Sequence, residues 1–202
     1  MITGIKKLTM VKRRQEVTEA WKAFFDRPVV GELVIKHFPA DDASAWTLEN
    51  HLYKLKAQGV KPSVIIVDYL TLMRPVDKAI RYEGSSTGRY LLLGQIVKEL
   101  INLAQRNNLA ILLLHQSKGY VKEKYRKGGQ QTTEDAADSH DISRHIDGMI
   151  TLEQTIVEME TRPNEIMRLH AAKGRSFASE WTVKFEFDKT TAQIWEADTK
   201  AK

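Results

Sequence analysis

The sequence predicts an α/β protein with a mostly parallel sheet flanked by helices, followed by an antiparallel meander of strands. Two wholly apolar runs, Val64–Val67 and Ala110–Leu114, are typical of strands that are buried on both faces of a parallel sheet. Each run follows a segment with helical spacing of apolar residues, which gives the strand and helix alternation of this class. Beyond residue 153 short apolar runs are separated by turn residues, which indicates the meander.

Composition limits the possible functions. The chain has 202 residues, of which 42% are hydrophobic and 28% charged, as in an ordinary folded domain. It has no cysteine, which excludes disulfides, zinc–cysteine sites and thiol nucleophiles. Its apolar runs are too short to span a bilayer and Met1–Arg14 lacks a signal-peptide core, so we expect a cytoplasmic protein without a membrane partner. The net charge of +5 and the pI near 9.3 indicate a polyanionic partner only weakly.

The first half of the chain predicts a helix–strand–helix–strand order. A helix over Met10–Phe25 comes first, and Glu32–Phe38 is typical of a strand. Ser44 is suited to cap a helix that continues to about residue 58, and Gly59 suits the position just after that helix. The apolar run Val64–Val67 then completes a strand–helix–strand unit.

The second half predicts the rest of the core and the meander. The loop Arg74–Arg89 leads into a long helix, Tyr90–Asn107, and the second apolar strand follows. The later elements are a helix over Thr133–Arg144, a strand over Gly148–Glu153, a turn over Ile156–Asn164, and strands over Glu165–Ala172, Trp181–Phe187 and Ala192–Trp195. We therefore predict a single domain, 1–202, with a helical lead-in (1–31), a parallel core (32–153) and a β meander (154–202).

Asp68 is the first candidate site residue. It follows Val64–Val67 directly, and ligands of open α/β sheets bind at the carboxyl ends of the strands. A carboxylate there is suited to hold Mg²⁺ that carries nucleotide phosphates, largely through water. The alternative is an aspartate that only ends a strand and begins a turn.

His115 and Gln116 follow the second apolar strand as Asp68 follows the first. Polar groups at the ends of two core strands indicate a site better than either group alone. The alternatives are a hydrogen-bonded buried histidine and an ordinary loop glutamine.

Basic residues gather in Lys118–Gln131, a glycine-rich stretch that also carries two tyrosines. Cations that follow phosphates and rings that stack on bases suit single-stranded nucleic acid. The alternative is a solvated loop. Lys173-Gly174-Arg175 places two further cations at the end of a strand, where arginine suits the charge on a transferring phosphoryl group. The alternative for this segment is an ordinary basic turn.

Four of these segments, in this order, resemble the RecA-like ATPase core of DnaB-type replicative helicases, especially those of phages. Val64–Met73 is similar to the Walker B strand, and the run from Leu112 to Gln116 is similar to the sensor strand. The stretch from Thr133 to Asp147 resembles the segment after the second DNA-binding loop, and Ile166–Arg175 resembles the strand that ends in the Lys-x-Arg finger. The resemblance covers nearly the whole chain and implies a RecA-like, P-loop NTPase type of fold.

The resemblance also implies roles. Asp68 would position Mg²⁺ with ATP, Gln116 would couple the γ-phosphate to DNA contact, and Lys173 and Arg175 would reach the nucleotide of the adjacent copy in a hexameric ring. The loops Arg74–Arg89 and Lys118–Thr132 would face the channel and bind single-stranded DNA during DNA replication. The DNA-binding candidates are Arg81, Arg89, Lys118, Lys122, Lys124, Arg126 and Lys127.

One departure from the family pattern is large. No Gly-Lys dipeptide occurs in the sequence, so it contains no P-loop to hold the phosphates of ATP. Met1–Gly4 is similar to the region just after the family's catalytic glutamate, so we expect the RecA-like fold to be incomplete at its N-terminus and the chain alone to be inactive as an ATPase. We therefore expect part of a longer helicase motor. The alternatives are an ATPase-inactive module that binds single-stranded DNA or docks on an ATPase, and a RadA- or KaiC-like remnant.

Overall fold

The computed structural model describes residues 14–27, 31–78, 86–116, 140–160, 165–191 and 193–196. The chain forms two compact units, one of residues 1–37, 152–169 and 182–202, and the other of residues 38–151 and 170–181. The elements in chain order are α1 (Arg14–Phe25), α2 (Ala45–Ala57), β1 (Val64–Val67), a 3₁₀ turn (Leu70–Leu72), α3 (Ser86–Asn107), β2 (Ala110–Leu113), α4 (His140–His145), β3 (Gly148–Glu153), α5 (Ile156–Glu160), β4 (Glu165–Gly174), β5 (Thr182–Asp188) and β6 (Gln193–Glu196).

The strands form two sheets. β1 and β2 are parallel, with Val64 opposite Ala110 and Val67 opposite Leu113. The second sheet has the order β3-β4-β5-β6, and β5 and β6 are antiparallel. The predicted combination of a parallel sheet with helices and a C-terminal antiparallel sheet is confirmed. The proposed subdivision at residues 31 and 153 stays a prediction.

Helix α2 begins and ends as its sequence predicts. The backbone N–H of Thr47 donates to the Ser44 hydroxyl at 3.3 Å, and the Ser44 N–H donates to the Thr47 hydroxyl at 2.7 Å, which makes a reciprocal capping box. At the other end Gly59 has a φ of 86°, in the left-handed region. The Val60 N–H donates to the carbonyl of Leu55 at 3.0 Å, which completes a Schellman motif.

One hydrophobic core holds the second unit together. It joins the buried faces of α2, α3 and α4 to the 3₁₀ turn, through Leu52, Leu70, Ile96, Leu103, Ile142 and their neighbours. The β1 and β2 side chains Ile65, Val67, Ile111 and Leu113 pack against it. Because the register places these four on one face, the core fixes which side chains of the sheet point inward.

The two core strands are buried on one face only, and the prediction of burial on both faces is wrong. Val64 is 52% exposed, Ile66 is 60% exposed and Leu112 is 54% exposed. They alternate with the inward residues, and no helix of this unit is packed on them in the described residues. The apolar run therefore reported strand propensity correctly and burial incorrectly.

The predicted strand over Glu32–Phe38 does not form. The described chain is irregular from Gly31 to Pro39, and neither of the two sheets includes it. A strand needs a partner for its backbone N–H and C=O groups, and β-branched composition supplies none. Leu33 and Ile35 in this segment are exposed.

Other boundaries move by a few residues. Helix α3 begins at Ser86, inside the predicted loop. Ile156–Glu160 is a short helix where a turn was predicted, because Thr155 and Glu158 cap it reciprocally through bonds of 2.8 and 3.2 Å. Of the helix predicted over Thr133–Arg144, residues 140–144 are helical in α4 and the rest lies outside the described residues. In the described part of the chain, no helix combines the length and apolar character needed to cross a membrane.

The first unit contains a buried charge cluster. Arg168 of β4 forms an ion pair with Glu158 of α5 at 3.2 Å and faces Glu153 of β3 at 3.9 Å. The Glu153 side chain is fully buried and that of Arg168 is 10% exposed. Charges enclosed this way depend on one another, because either one alone would be left without solvent.

Candidate functional site

Asp68 and the pair His115 and Gln116 lie at the same edge of the parallel sheet. β1 ends at Val67 and β2 at Leu113, which are paired in the register. The backbone pairing continues past both ends: the Leu114 N–H donates to the Val67 carbonyl at 3.0 Å, and the Leu70 N–H donates to the Leu114 carbonyl at 3.1 Å. These bonds hold the segments carrying Asp68 and His115 side by side, as the sequence predicts.

The chain after Asp68 is anchored on both sides. The Asp68–Tyr69 peptide bond is cis, and Leu70 begins the 3₁₀ turn with its side chain fully buried in the core. The Asp41 N–H donates to the carbonyl of Leu72 at 2.9 Å, and the Arg74 N–H donates to the carbonyl of Ala43 at 2.9 Å. The backbone on which Asp68 stands is therefore tied to the start of α2.

The Asp68 carboxylate has the chemistry of a Mg²⁺ ligand. Asp68 and Gln116 are exposed at the sheet edge, and His115 is half-buried. In the described residues no group of three or more histidine, cysteine or acidic side chains is placed to hold a metal ion. One exposed carboxylate fits Mg²⁺ with nucleotide phosphates, since this ion keeps water and phosphate oxygens for its other positions.

Lys173 and Arg175 form a second group, held by the carboxyl end of α4. The Lys173 ammonium donates to the carbonyl of Ser143. The Arg175 guanidinium donates to the carbonyl of Arg144 at 2.7 Å and to the Asp147 carboxylate at 3.2 Å, and its backbone N–H donates to the Asp147 carbonyl at 2.8 Å. The last carbonyls of a helix lack partners within it, and basic side chains are suited to satisfy them.

The environment of Lys173 disfavours its charge. Burial lowers the pKa of Lys173, and the neighbouring Arg175 cation lowers it further, while the Asp147 carboxylate acts in the opposite direction. Desolvation disfavours an ammonium in the same way wherever water is removed from it. The two cations of this turn are thus not equivalent: Lys173 is half-buried and Arg175 is exposed.

Two glycines let the turn fold tightly against Phe177. A Cβ on Gly148 would lie 2.6 Å from the Phe177 ring. A Cβ on Gly174 would lie 2.4 Å from the Phe177 carbonyl oxygen. Neither distance allows a side chain, so the close approach of β3, β4 and the following turn depends on both glycines.

The sequence-predicted residues therefore fall into two groups. Asp68 and Gln116 lie at the sheet edge, and Lys173 and Arg175 lie beside α4. Both groups border the same core, because Leu70 of the 3₁₀ turn and Ile142 of α4 are both buried in it.

The predicted DNA-binding residues lie almost entirely outside the description. Arg81, Lys118, Lys122, Lys124, Arg126 and Lys127 lie outside the described residues, and only the backbone of Arg89, in α3, is described. Sequence reasoning assigned no role to Asp147 or Phe177. Asp147 carried one signal, an acidic residue directly before a strand, and nothing in the sequence connects it with a turn near residue 175.

Comparison with known proteins agrees with the fold. The family model described as the DnaB-like helicase C-terminal domain matches residues 4–196. A search of curated proteins found no match.

Two solved structures are similar over most of the chain. One, whose title describes it as an ATPase domain, matches with a TM-score of 0.71 at 17% identity, covering 98% of this chain and 68% of that one. A DnaB-like replicative helicase, whose title also names its interactions with primase, matches with a TM-score of 0.67 at 18% identity, covering 90% of this chain and 41% of that one. These structural likenesses support the fold, and the family match spans nearly all of the sequence. The chain belongs to the family of DnaB-like helicase C-terminal domains.

Proposed function

We propose that this chain is the C-terminal part of the ATPase motor of a hexameric replicative DNA helicase. The observation that carries the proposal is the family match over residues 4–196 together with Asp68 and Gln116 at one edge of the parallel sheet. A DNA substrate would place the protein in the cytoplasm, and the partners would be single-stranded DNA and further copies in a ring. The phage origin of the resemblance belongs to the same proposal.

The nucleotide would lie between two copies of the protein. Asp68 would hold Mg²⁺ at the carboxyl end of β1, and bound Mg²⁺ supplies neutralisation of phosphate charge. Gln116, at the end of the neighbouring strand, would sense the γ-phosphate. Lys173 and Arg175 would donate to the nucleotide held by the adjacent copy, where their charges oppose the charge that develops in phosphoryl transfer.

The first test is ATP hydrolysis by the purified chain with Mg²⁺, with and without single-stranded DNA. We expect no turnover in either condition, because the sequence contains no P-loop and positioning of the phosphates supplies most of the catalysis. Turnover that Asp68→Ala abolishes would contradict this expectation and would show a phosphate site elsewhere in the chain.

The second test is the salt dependence of DNA binding. The double variant Lys124→Ala/Arg126→Ala removes two of the proposed phosphate contacts, so the slope of log affinity against log salt is expected to fall by about 1.4 for single-stranded DNA. The matched control is Lys54→Ala/Lys61→Ala, which removes the same charge from exposed positions on and after α2. Equal slopes for both variants, measured by fluorescence anisotropy of a labelled oligonucleotide, would reject these loop contacts.

The second candidate function is an ATPase-inactive module that binds single-stranded DNA or docks on an active ATPase. The absence of a Gly-Lys dipeptide from the sequence favours it. The two candidates differ in Asp68. In the motor, Asp68→Ala abolishes hydrolysis by the P-loop-bearing ring and leaves DNA affinity unchanged, whereas in the module no assembly containing this chain depends on Asp68.

A further inference from the structure

Arg175 is held at three points, two of which belong to Asp147. The Asp147 carboxylate accepts from the Arg175 guanidinium at 3.2 Å, and the Asp147 backbone carbonyl accepts from the Arg175 N–H at 2.8 Å. The third point is the Arg144 carbonyl, which accepts from the other terminal nitrogen of the guanidinium at 2.7 Å. The side chain is thus oriented along one edge while 53% of it remains exposed.

Stability does not account for the carboxylate. The Asp147 side chain is 80% exposed, and ion pairs between exposed side chains contribute little to folding. A guanidinium fixed at two of its nitrogens, however, loses most of its freedom to rotate, which is what a group acting on a neighbouring molecule requires.

The backbone below Arg175 is fixed as well. Gly174 and Gly148 allow the Phe177 ring and carbonyl to approach within distances that no Cβ would permit. Lys173 is bonded to the Ser143 carbonyl, one residue before the carbonyl that Arg175 uses. Orientation of the arginine therefore begins at the backbone and ends at Asp147.

We propose that Asp147 is a positioning residue that aims Arg175 at the nucleotide of the adjacent copy. The inference rests on the proposed function, since it assumes that Arg175 acts on a phosphoryl group outside its own chain. Asp147 itself touches neither nucleotide nor substrate. Its contribution is to hold the guanidinium ready, so that ordering it does not oppose the reaction.

The first experiment detects the orientation in this chain directly. Side-chain ¹⁵N NMR is expected to show separate Nη signals for Arg175, because two acceptors hinder rotation of its guanidinium. Asp147→Ala is expected to merge them into one averaged signal, and Asp147→Asn, which keeps an acceptor oxygen, to retain part of the separation. The control Glu49→Gln breaks a comparable exposed pair with Arg106 and should change only the Arg106 signals. An Arg175 signal that is averaged in the unsubstituted protein, or unchanged by Asp147→Ala, would overturn the proposal.

The second experiment separates positioning from stability. In steady-state ATP hydrolysis by the native ring that carries the P-loop, Asp147→Ala is expected to lower kcat about 10- to 100-fold with KM for ATP unchanged. Asp147→Asn should recover part of the loss, and Arg175→Ala should lower kcat about 1000-fold. The thermal midpoint of Asp147→Ala should stay within about 4 °C of the unsubstituted protein.

The outcomes distinguish the two proposals. If Arg175→Ala abolishes hydrolysis and Asp147→Ala leaves kcat unchanged, the positioning role is wrong and the proposed motor stands. If Arg175→Ala has no effect on a ring that hydrolyses ATP, the trans role of the arginine fails, and the role of Asp147 fails with it. If no ring containing this chain hydrolyses ATP, the motor function itself is rejected.

Discussion

Arg168 shows how strongly one residue can depend on its neighbours in this protein. It lies between Glu153 and Glu158, and the Glu153 side chain is fully enclosed. A buried ion pair contributes little beyond what apolar side chains would give, but removing one partner leaves a charge without solvent. The strand alternation of β4 predicts which face Arg168 occupies, and nothing in the sequence identifies its acidic partners.

Arg168→Ala is therefore expected to lower the free energy of unfolding by about 3–5 kcal/mol in chemical denaturation. Lys189→Ala, which breaks an ion pair with Glu165 at 2.8 Å by removing a side chain that is 57% exposed, is the control and should cost at most about 1 kcal/mol. The double variant Arg168→Met/Glu153→Leu should recover part of the loss. A double variant no more stable than Arg168→Ala would contradict this explanation.

Glu49 provides the pH dependence at this scale. Two bonds from the Arg106 guanidinium, at 2.9 and 3.1 Å, hold the pKa of Glu49 below its ordinary value of 4.5. A carboxyl group whose pKa is lower when folded stabilises the protein fully above its unfolded pKa, and this stabilisation is lost as pH falls through the folded pKa.

Unfolding experiments between neutral and acidic pH should show this sign. Glu49→Gln is expected to be less stable than the unsubstituted protein at neutral pH, and the difference should shrink as pH falls below 4.5. Glu32→Gln, an exposed position outside this pair, controls for the loss of one negative charge. A difference that grows on acidification would have the wrong sign and would reject the pair as its origin.

At the scale of elements, helix α2 is the part that the sequence predicts most completely. Ser44 and Gly59 lie at its two ends where predicted, because capping depends on residues within one turn of each other. The segment Glu32–Phe38 has equally suitable residues and forms no strand, because a strand depends on a partner that is distant in the chain. Local signals were thus reliable, and pairing was not.

Gly59→Ala tests the end of α2. The Schellman motif holds Gly59 at a φ of 86°, where a Cβ would meet no neighbouring atom, so the cost of alanine is conformational alone. We expect a loss of about 1–2 kcal/mol in the free energy of unfolding. Gly31→Ala is the matched control: a Cβ there also meets nothing, and no positive φ is required, so it should be neutral or slightly stabilising. Equal effects at both positions would show that the left-handed conformation is not the cause.

At the scale of the molecule, the exposed face of the parallel sheet is the main departure from expectation. The sequence correctly indicates which segments are strands and that Asp68 and Gln116 end up on one edge, since parallel strands share their carboxyl ends. It could not show that Val64, Ile66 and Leu112 remain exposed, because burial depends on what packs over a strand. The carbonyl ends of α4 around Lys173 were equally out of reach.

Exposed apolar side chains on a short sheet favour association between copies. We expect the chain to self-associate as its concentration rises, and Ile66→Thr/Leu112→Thr to weaken this association in sedimentation velocity. Leu33→Thr/Ile35→Thr is the control, since it removes the same residue types from an exposed segment outside both sheets. Concentration-independent sedimentation of the unsubstituted chain would reject the prediction.

The bonds between the basic turn and α4 also affect how this family member can be studied by mutation. The Ser143 and Arg144 carbonyls end a helix of six residues, and they receive their hydrogen bonds from Lys173 and Arg175. The same two cations are therefore the C-terminal cap of that helix. Replacing both with alanine would remove the cap as well as the charges, and the lost activity would combine unwinding of α4 with the loss of any action on a neighbouring molecule. Arg175→Lys keeps a charge and a donor at that position, so comparing it with Arg175→Ala separates the two effects.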